Sequence, residues 1–286
     1  MAEVLQGCPR RDCIPAIDAP RFLGATDPSA PDDDDLVMGI VRGDTARAYP
    51  LYILNFHEVV NDTIAGEPIA ITYCPLCGSG LAFRRELDGK PVQLGVSGLL
   101  HNSDLILYDR DTESLWQQIT GRAIAGPRRG QVLESVPVTV ASWHEWRRVH
   151  PATQVLSTDT GHSRDYTQKT PYGDYDQSED LMFPANQAAG LRLHPKQVVH
   201  GVELDTGSAA VTERALAGGK PVRMRAAGVE LTWKRLADGS VEVRRSGDSR
   251  RLLPQRMFWF AWYSFHTDTV LHDLPVAQRR NRKTDE

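Results

Sequence analysis

No run of this sequence approaches the roughly 20 consecutive apolar residues needed to span a bilayer. The opening Met-Ala-Glu-Val-Leu-Gln-Gly has no basic segment followed by an apolar one. No transmembrane segment is expected. A cytoplasmic address is the default expectation, with an extracytoplasmic one as the alternative if the native N-terminus is longer. Charge of one sign is also lacking: 33 basic and 37 acidic side chains leave a formal net charge of −4. Without a basic field to hold a phosphate backbone, nucleic acid is not an expected partner. Cysteine is scarce, with four in 286 residues, too few for a disulfide scaffold, and a chain of this length buries a core without covalent staples. What is plentiful is turn chemistry: 23 Gly and 18 Pro, at 41% hydrophobic residues, exclude disorder, collagen and coiled coil and favour many short elements.

Gly7 to Phe22, with Pro9, Pro15 and Pro20, reads as an extended, solvated arm that runs into an acidic loop at Asp32, Asp33, Asp34 and Asp35. From Leu36 the pattern changes to short, β-branched apolar runs with Gly or Asp-Gly punctuation, among them Ile69-Ala-Ile-Thr-Tyr73 and Leu105-Ile-Leu-Tyr108, which predict strands. Ala48 to Val60 has apolar residues at helical spacing with Pro50 suited to a first turn, and predicts one short helix. Thr158 to Gln187 lacks apolar periodicity and reads as a linker or long irregular crossing.

Beyond that crossing the sequence resembles what precedes it. Trp143-x-x-Trp146-x-x-x-His150-x-x-Thr153 recurs as Trp259-x-x-Trp262-x-x-x-His266-x-x-Thr269. Gly39-Ile-Val aligns with Gly201-Val-Glu, and Phe83-Arg-Arg-Glu-Leu-Asp-Gly with Trp233-Lys-Arg-Leu-Ala-Asp-Gly. The expected fold is therefore α+β, β-rich, with two internally repeated β-rich halves and short helices. Its expected divisions are an N-terminal arm and acidic loop at 1–35, a first repeat at 36–157, a linker at 158–190 and a second, cysteine-free repeat at 191–286. The repeated His150 and His266 are assigned to the core or to a helix cap.

Chemistry is expected where the two halves differ. Opposite Thr72-Tyr-Cys74-Pro-Leu-Cys77-Gly-Ser-Gly80 the second half has no cysteine, and it lacks the stretch from Gly95 to Ile124. Two-residue spacing lets both thiols reach one metal ion or each other, so three readings compete: a metal thiolate, a dithiol redox pair and an inert turn. Gly78-Ser-Gly80 makes a poor first helical turn, which weakens the redox reading by removing a helix dipole from beside the thiols. For a metal, copper or zinc, the remaining ligands would come from His57, His101 or Cys13. Ser97, Asn102, Ser103, Ser114 and Trp116 mix hydroxyl, amide and aromatic groups as the lining of a small-molecule pocket does. The expected partner is a metal ion or a small molecule. A metal-independent thiol-disulfide oxidoreductase and a non-catalytic ligand-binding module are the alternatives.

Arg47-Ala-Tyr-Pro-Leu, Asn55-Phe-His-Glu-Val-Val-Asn-Asp62, the Cys-Pro-Leu-Cys segment, Gly95-Val-Ser-Gly-Leu-Leu-His-Asn-Ser103 and Tyr108-Asp-Arg-Asp-Thr-Glu-Ser-Leu-Trp116 resemble the uncharacterised family called domain of unknown function 3179. So do Arg11 to Asp18 and His194-Pro-Lys196 to Gly201. The resemblance covers most of the chain. It implies no established reaction, and it implies export signals or lipid anchors in many relatives and Tyr or His at the position of His101.

Overall fold

Short apolar runs separated by tight turns leave antiparallel pairing as the cheapest way to satisfy the backbone, and antiparallel ladders dominate. The computed structural model describes residues 4–186, 192–247 and 251–273. It is β-rich, with four short helices among those residues: α1 (Leu51–Leu54), α2 (Trp143–Val149), α3 (Glu213–Leu216) and α4 (Trp259–Phe265). No helix there is long and apolar enough to cross a membrane.

Two sheets share one plan. In the first, Thr139–Ser142, Leu36–Arg42, Thr45–Pro50 and Gln154–Leu156 lie in that order, the last pair parallel, and Phe22–Gly24 is added at the edge. In the second, Gln255–Phe258, Val198–Glu203, Ser208–Thr212 and Thr269–His272 lie in order with the last pair again parallel. Each sheet carries one Trp-rich helix, α2 or α4, across its parallel crossover. Trp146 covers Gly39 and Trp262 covers Gly201, and their indoles donate to Thr153 Oγ1 at 3.0 Å and Thr269 Oγ1 at 2.8 Å. His150 and His266 are the C-caps of these helices, with ring centroids 4.1 Å from Trp146 and 3.9 Å from Trp262.

Another pair of sheets also matches: Val59–Ile64, Glu67–Cys74, Ser79–Arg84 and Ser135–Val136 in one, Val222–Ala226, Val229–Arg235, Val241–Arg245 and Arg251–Leu252 in the other. The sheet Val4–Gln6, Leu94–His101, Asp104–Asp109, Leu115–Gln117 and Arg122–Ala125 has no equivalent of the same order between 192 and 273 among the described residues. Apart from Val4–Gln6, its strands fall between Leu94 and Ala125.

Three local expectations change. The helix expected over Ala48 to Val60 is only α1, because Ala48 to Pro50 extend the preceding strand and Val59 opens the next one. β-branched Val59 and Val60 are 0% exposed in that strand, where branching packs well. The N-terminal arm is not free in solvent: Val4–Gln6 pairs with Leu99 to His101, Asp12 N donates to Val96 O, and Ile17 is fully buried beside Val60. The acidic loop is partly paired, since Lys169 bridges Asp32 and Asp35 while Arg147 reaches Asp33. Among its described residues, the crossing from 158 has two short turns of helix, at Tyr166–Gln168 and Tyr175–Gln177. Residues 187–190 of the expected linker, and 191, 248–250 and 274–286 of the expected second repeat, lie outside the described residues.

The largest apolar cluster joins both parts of the chain, with Cys74, Cys77, Leu105, Leu107 and Trp116 packed alongside Val199, Met257, Trp259 and Trp262. Phe258 N donates to Cys77 O at 2.8 Å. The Cys-x-x-Cys turn is thus gripped from the far side by the strand that precedes α4.

Candidate metal centre

Cys74 ends the strand Glu67–Cys74 and Cys77 precedes the strand Ser79–Arg84, so the two thiols flank a hairpin turn closed by Cys77 N donating to Cys74 O at 3.2 Å. Gly78 makes that turn possible: its φ is +59°, and an added Cβ would lie 2.9 Å from the Phe258 ring. Both thiols are buried, and both face the carbonyl of Ser103, at 3.7 Å from Cys74 Sγ and 3.4 Å from Cys77 Sγ.

The third member of the cluster is Asp104. Its carboxylate and the two sulfurs offer ligand atoms that all lie within 4.8 Å of one another, and all three residues are buried. The two oxygens of Asp104 differ in what holds them. Oδ2 accepts from Gln117 Nε2 at 2.5 Å and from Ile119 N at 3.1 Å, whereas Oδ1 has no hydrogen-bond partner among the described residues. The Gln117 amide oxygen in turn accepts from His101 Nδ1 at 2.7 Å. His101 therefore sits one residue removed from the cluster, orienting the amide that orients Asp104.

Burial sets the protonation of the site. The Cys74 thiol is pushed up, and the Cys77 thiol well up, because neither thiolate is solvated. Burial also pushes Asp104 up to about 7 and, with the charge of Asp104 adding to it, pushes Glu58 up to about 8. Free of a cation, the cluster is neutral at moderately acid pH. The folded chain keeps the Asp104 proton to about pH 7 while the unfolded chain releases it near 3.8, so the native state binds the extra proton over that window. The associated stability is complete below the unfolded value and is lost as the pH rises through about 7. We expect Asp104→Asn, measured metal-free and reduced by urea denaturation, to gain stability relative to wild type as the pH is raised from about 4 to about 7. A difference that does not vary with pH would refute the buried neutral carboxyl.

The structure brings Cys74 and Cys77 together, as the sequence suggested, but distributes the other named residues elsewhere. Cys13 is disulfide-bonded to Cys8, which removes it as a ligand. His57 is fully buried, with Nδ1 donating to Pro15 O at 2.8 Å and Nε2 accepting from Tyr166 Oη at 2.5 Å, so it has no lone pair left for a metal. Burial pushes it down to about 4, against a partly compensating bond to Pro15 O. Ser97 Oγ closes the irregularity between Val96 and Leu99 by bonding Ile106 O and Leu99 N. Ser114 Oγ accepts from Arg128 N at 3.0 Å, and the fully buried Trp116 donates to Asp109 Oδ2 at 2.9 Å. Asn102 and Ser103 form the left-handed turn before Asp104 and bond to the segment that crosses the site: Asn186 N donates to Asn102 Oδ1, and Ser103 Oγ to Phe183 O.

Asp104 is the residue that sequence reasoning missed. The signal was an acid opening the otherwise apolar run Asp104-Leu-Ile-Leu-Tyr-Asp109, inside the very stretch that the second half lacks. A strand buried at every position leaves no exposed face for a carboxylate.

The family model described as a protein of unknown function, DUF3179, matches residues 11–253. The chain belongs to that family. The match takes in the Cys-x-x-Cys turn and Asp104, so the candidate centre lies inside the DUF3179 region and the Cys8 end of the disulfide outside it. No curated protein and no solved structure matches the chain.

Proposed function

We propose that Cys74, Cys77 and Asp104 hold one metal ion, zinc or copper(I), in the interior of the first half. The observation that carries this reading is a buried carboxylate whose Oδ1 has no amide, hydroxyl or cationic partner among the described residues and has two buried thiols for neighbours. An unpaired polar atom in the interior is costly, and a cation is what two thiolates and a carboxylate would satisfy together. Thiolates suit both metals, but a carboxylate oxygen in the set favours zinc over copper(I), which prefers soft ligands. Three protein ligands would leave a fourth tetrahedral position for water or a small-molecule substrate, the ligand count of a catalytic rather than a closed structural zinc site. A bound ion would keep both sulfurs as thiolates and Asp104 ionised, reversing the protonation that burial imposes.

The dithiol alternative fares worse on the same observations. A nucleophilic thiol needs access and a lowered pKa, whereas these are buried and raised. The test is elemental analysis of reduced protein purified without chelator and then supplied with zinc or copper(I). One tightly held ion per chain is expected. Folded, reduced protein that takes up neither metal overturns the proposal and returns the dithiol reading.

Two further readings belong with this one. The Cys8–Cys13 bond supports an oxidising, extracytoplasmic compartment, where disulfides persist, over the cytoplasmic default. Protein isolated from such a compartment and denatured without reductant should titrate two thiols per chain and, after reduction, all four cysteines. Four at the outset would remove the argument. The matched strand orders, with Gly39 under Trp146 and Gly201 under Trp262, support an internally duplicated chain whose extra sheet adds Asp104 beside the two thiols.

A further inference from the structure

The stretch Tyr172 to Asn186 belongs to no sheet, yet it crosses the dithiol cluster. Tyr172, Leu181, Phe183 and Ala185 pack on the apolar cluster that contains Cys74 and Cys77, and Tyr175 is buried in it. No backbone ladder fastens this stretch; side chains do. Lys196, only 4% exposed, donates from Nζ to Ser178 O at 2.5 Å and Asp180 O at 2.7 Å, and its ammonium lies 4.0 Å from the centroid of the Tyr175 ring. Ser103 Oγ donates to Phe183 O and Asn186 N to Asn102 Oδ1, while Ser264 Oγ shares its one proton between Phe260 O at 2.8 Å and Asn186 O at 3.1 Å. A lysine is rarely buried, because its ammonium must be taken out of water. Here it binds two carbonyls two residues apart on the same crossing stretch.

The attachments converge on the site. Ser103, which holds Phe183, also offers its carbonyl to both thiols and precedes Asp104 in the chain. At the other end of the stretch a cavity of about 250 Å³ is lined by Tyr52, Tyr73, Tyr172, Tyr175, Phe258 and Pro75, the last lying between the two cysteines.

We propose that residues 172–186 are a cover over the Cys74–Cys77 site that opens as a unit, with Lys196 as its latch. Metal ions and small thiol reagents then reach the cysteines by opening of this cover and not by unfolding of the sheets. The proposal takes the site from the preceding reading, but it concerns access to the thiols and holds with or without a metal. Local opening is the physical expectation for a stretch tied by a few side-chain bonds between strands held by continuous ladders. Lys196→Met keeps the apolar stem and removes the donor.

The experiment uses the full chain, metal-free and reduced. Alkylation of Cys74 and Cys77 by iodoacetamide is followed by peptide mass spectrometry, with amide hydrogen exchange measured in parallel. In Lys196→Met both cysteines should react at least tenfold faster, exchange over 172–186 should accelerate, and exchange in Glu67–Cys74 and Leu94–His101 should stay as in wild type. Unchanged alkylation overturns the proposal, as does acceleration matched by equally faster exchange in those two strands. Should Lys196→Met fail to fold, Ser264→Ala, which removes one tie at Asn186, decides by the same criteria with a smaller acceleration. The two readings fail separately: wild type that binds no metal but alkylates faster on loss of Lys196 keeps the cover and removes the metal. Protein that binds zinc with equal alkylation in both variants does the reverse.

Discussion

If Cys74, Cys77 and Asp104 hold an ion as proposed, Cys74→Ser and Cys77→Ser should each abolish its binding, and Asp104→Asn should weaken it while leaving part of it. A serine hydroxyl is a far poorer ligand for zinc or copper(I) than a thiolate, so either replacement leaves one strong ligand and one carboxylate. Asparagine keeps the shape of Asp104 and a neutral oxygen donor but removes its charge, which is why its loss is graded. The measurement is metal content per folded chain after dialysis, with competition by a chromophoric chelator to rank the variants. His266→Gln is the control. This histidine caps α4 and stacks on Trp262 with ring centroids 3.9 Å apart, so its replacement costs about 1 kcal/mol of stability and leaves metal content unchanged. Full metal retention by both serine variants would put the ion elsewhere, for example on the Asp32 to Asp35 loop.

Gly39→Ala and Gly201→Ala should each destabilise the fold by about 3 kcal/mol, at the upper end for an overpacked core. An added Cβ at Gly39 would lie 2.3 Å from Trp146 Cζ3, and one at Gly201 would lie 2.5 Å from Trp262 Cδ2. Neither ring is free to move aside. Each indole is tied to a threonine across the crossover, and each tryptophan is essentially unexposed. The glycines themselves sit within ladders that fix their backbones. Gly24→Ala, where nothing lies within 4 Å and φ is not positive, should stay within about 0.5 kcal/mol of wild type. Urea denaturation compares the three. Equal, small effects at all three positions would show that the tryptophan sites relax, and would remove the close approach as the reason for glycine there.

Periodicity and turn residues were enough, read in one dimension, to predict a β-rich chain with short helices, because a strand or a hairpin turn is specified by a few adjacent side chains. They also singled out Cys74 and Cys77, whose two-residue spacing is itself a local geometry. The same local reasoning overran at Ala48 to Val60, where apolar spacing fitted a helix but burial on both sides favours strand for Val59 and Val60. What completes the site was decided at long range. Asp104 lies 27 residues beyond Cys77 in sequence and reaches it only because strands of two different sheets share one core. Cys13 was drawn away by Cys8, and His57 by Pro15 and Tyr166, partners that no spacing rule could weigh. Asn102 and Ser103, which composition marked as pocket polar groups, spend their hydrogen bonds on a stretch some 80 residues later. Residue type determined which groups were able to do chemistry; competition for partners in the folded interior determined which of them were left free to do it.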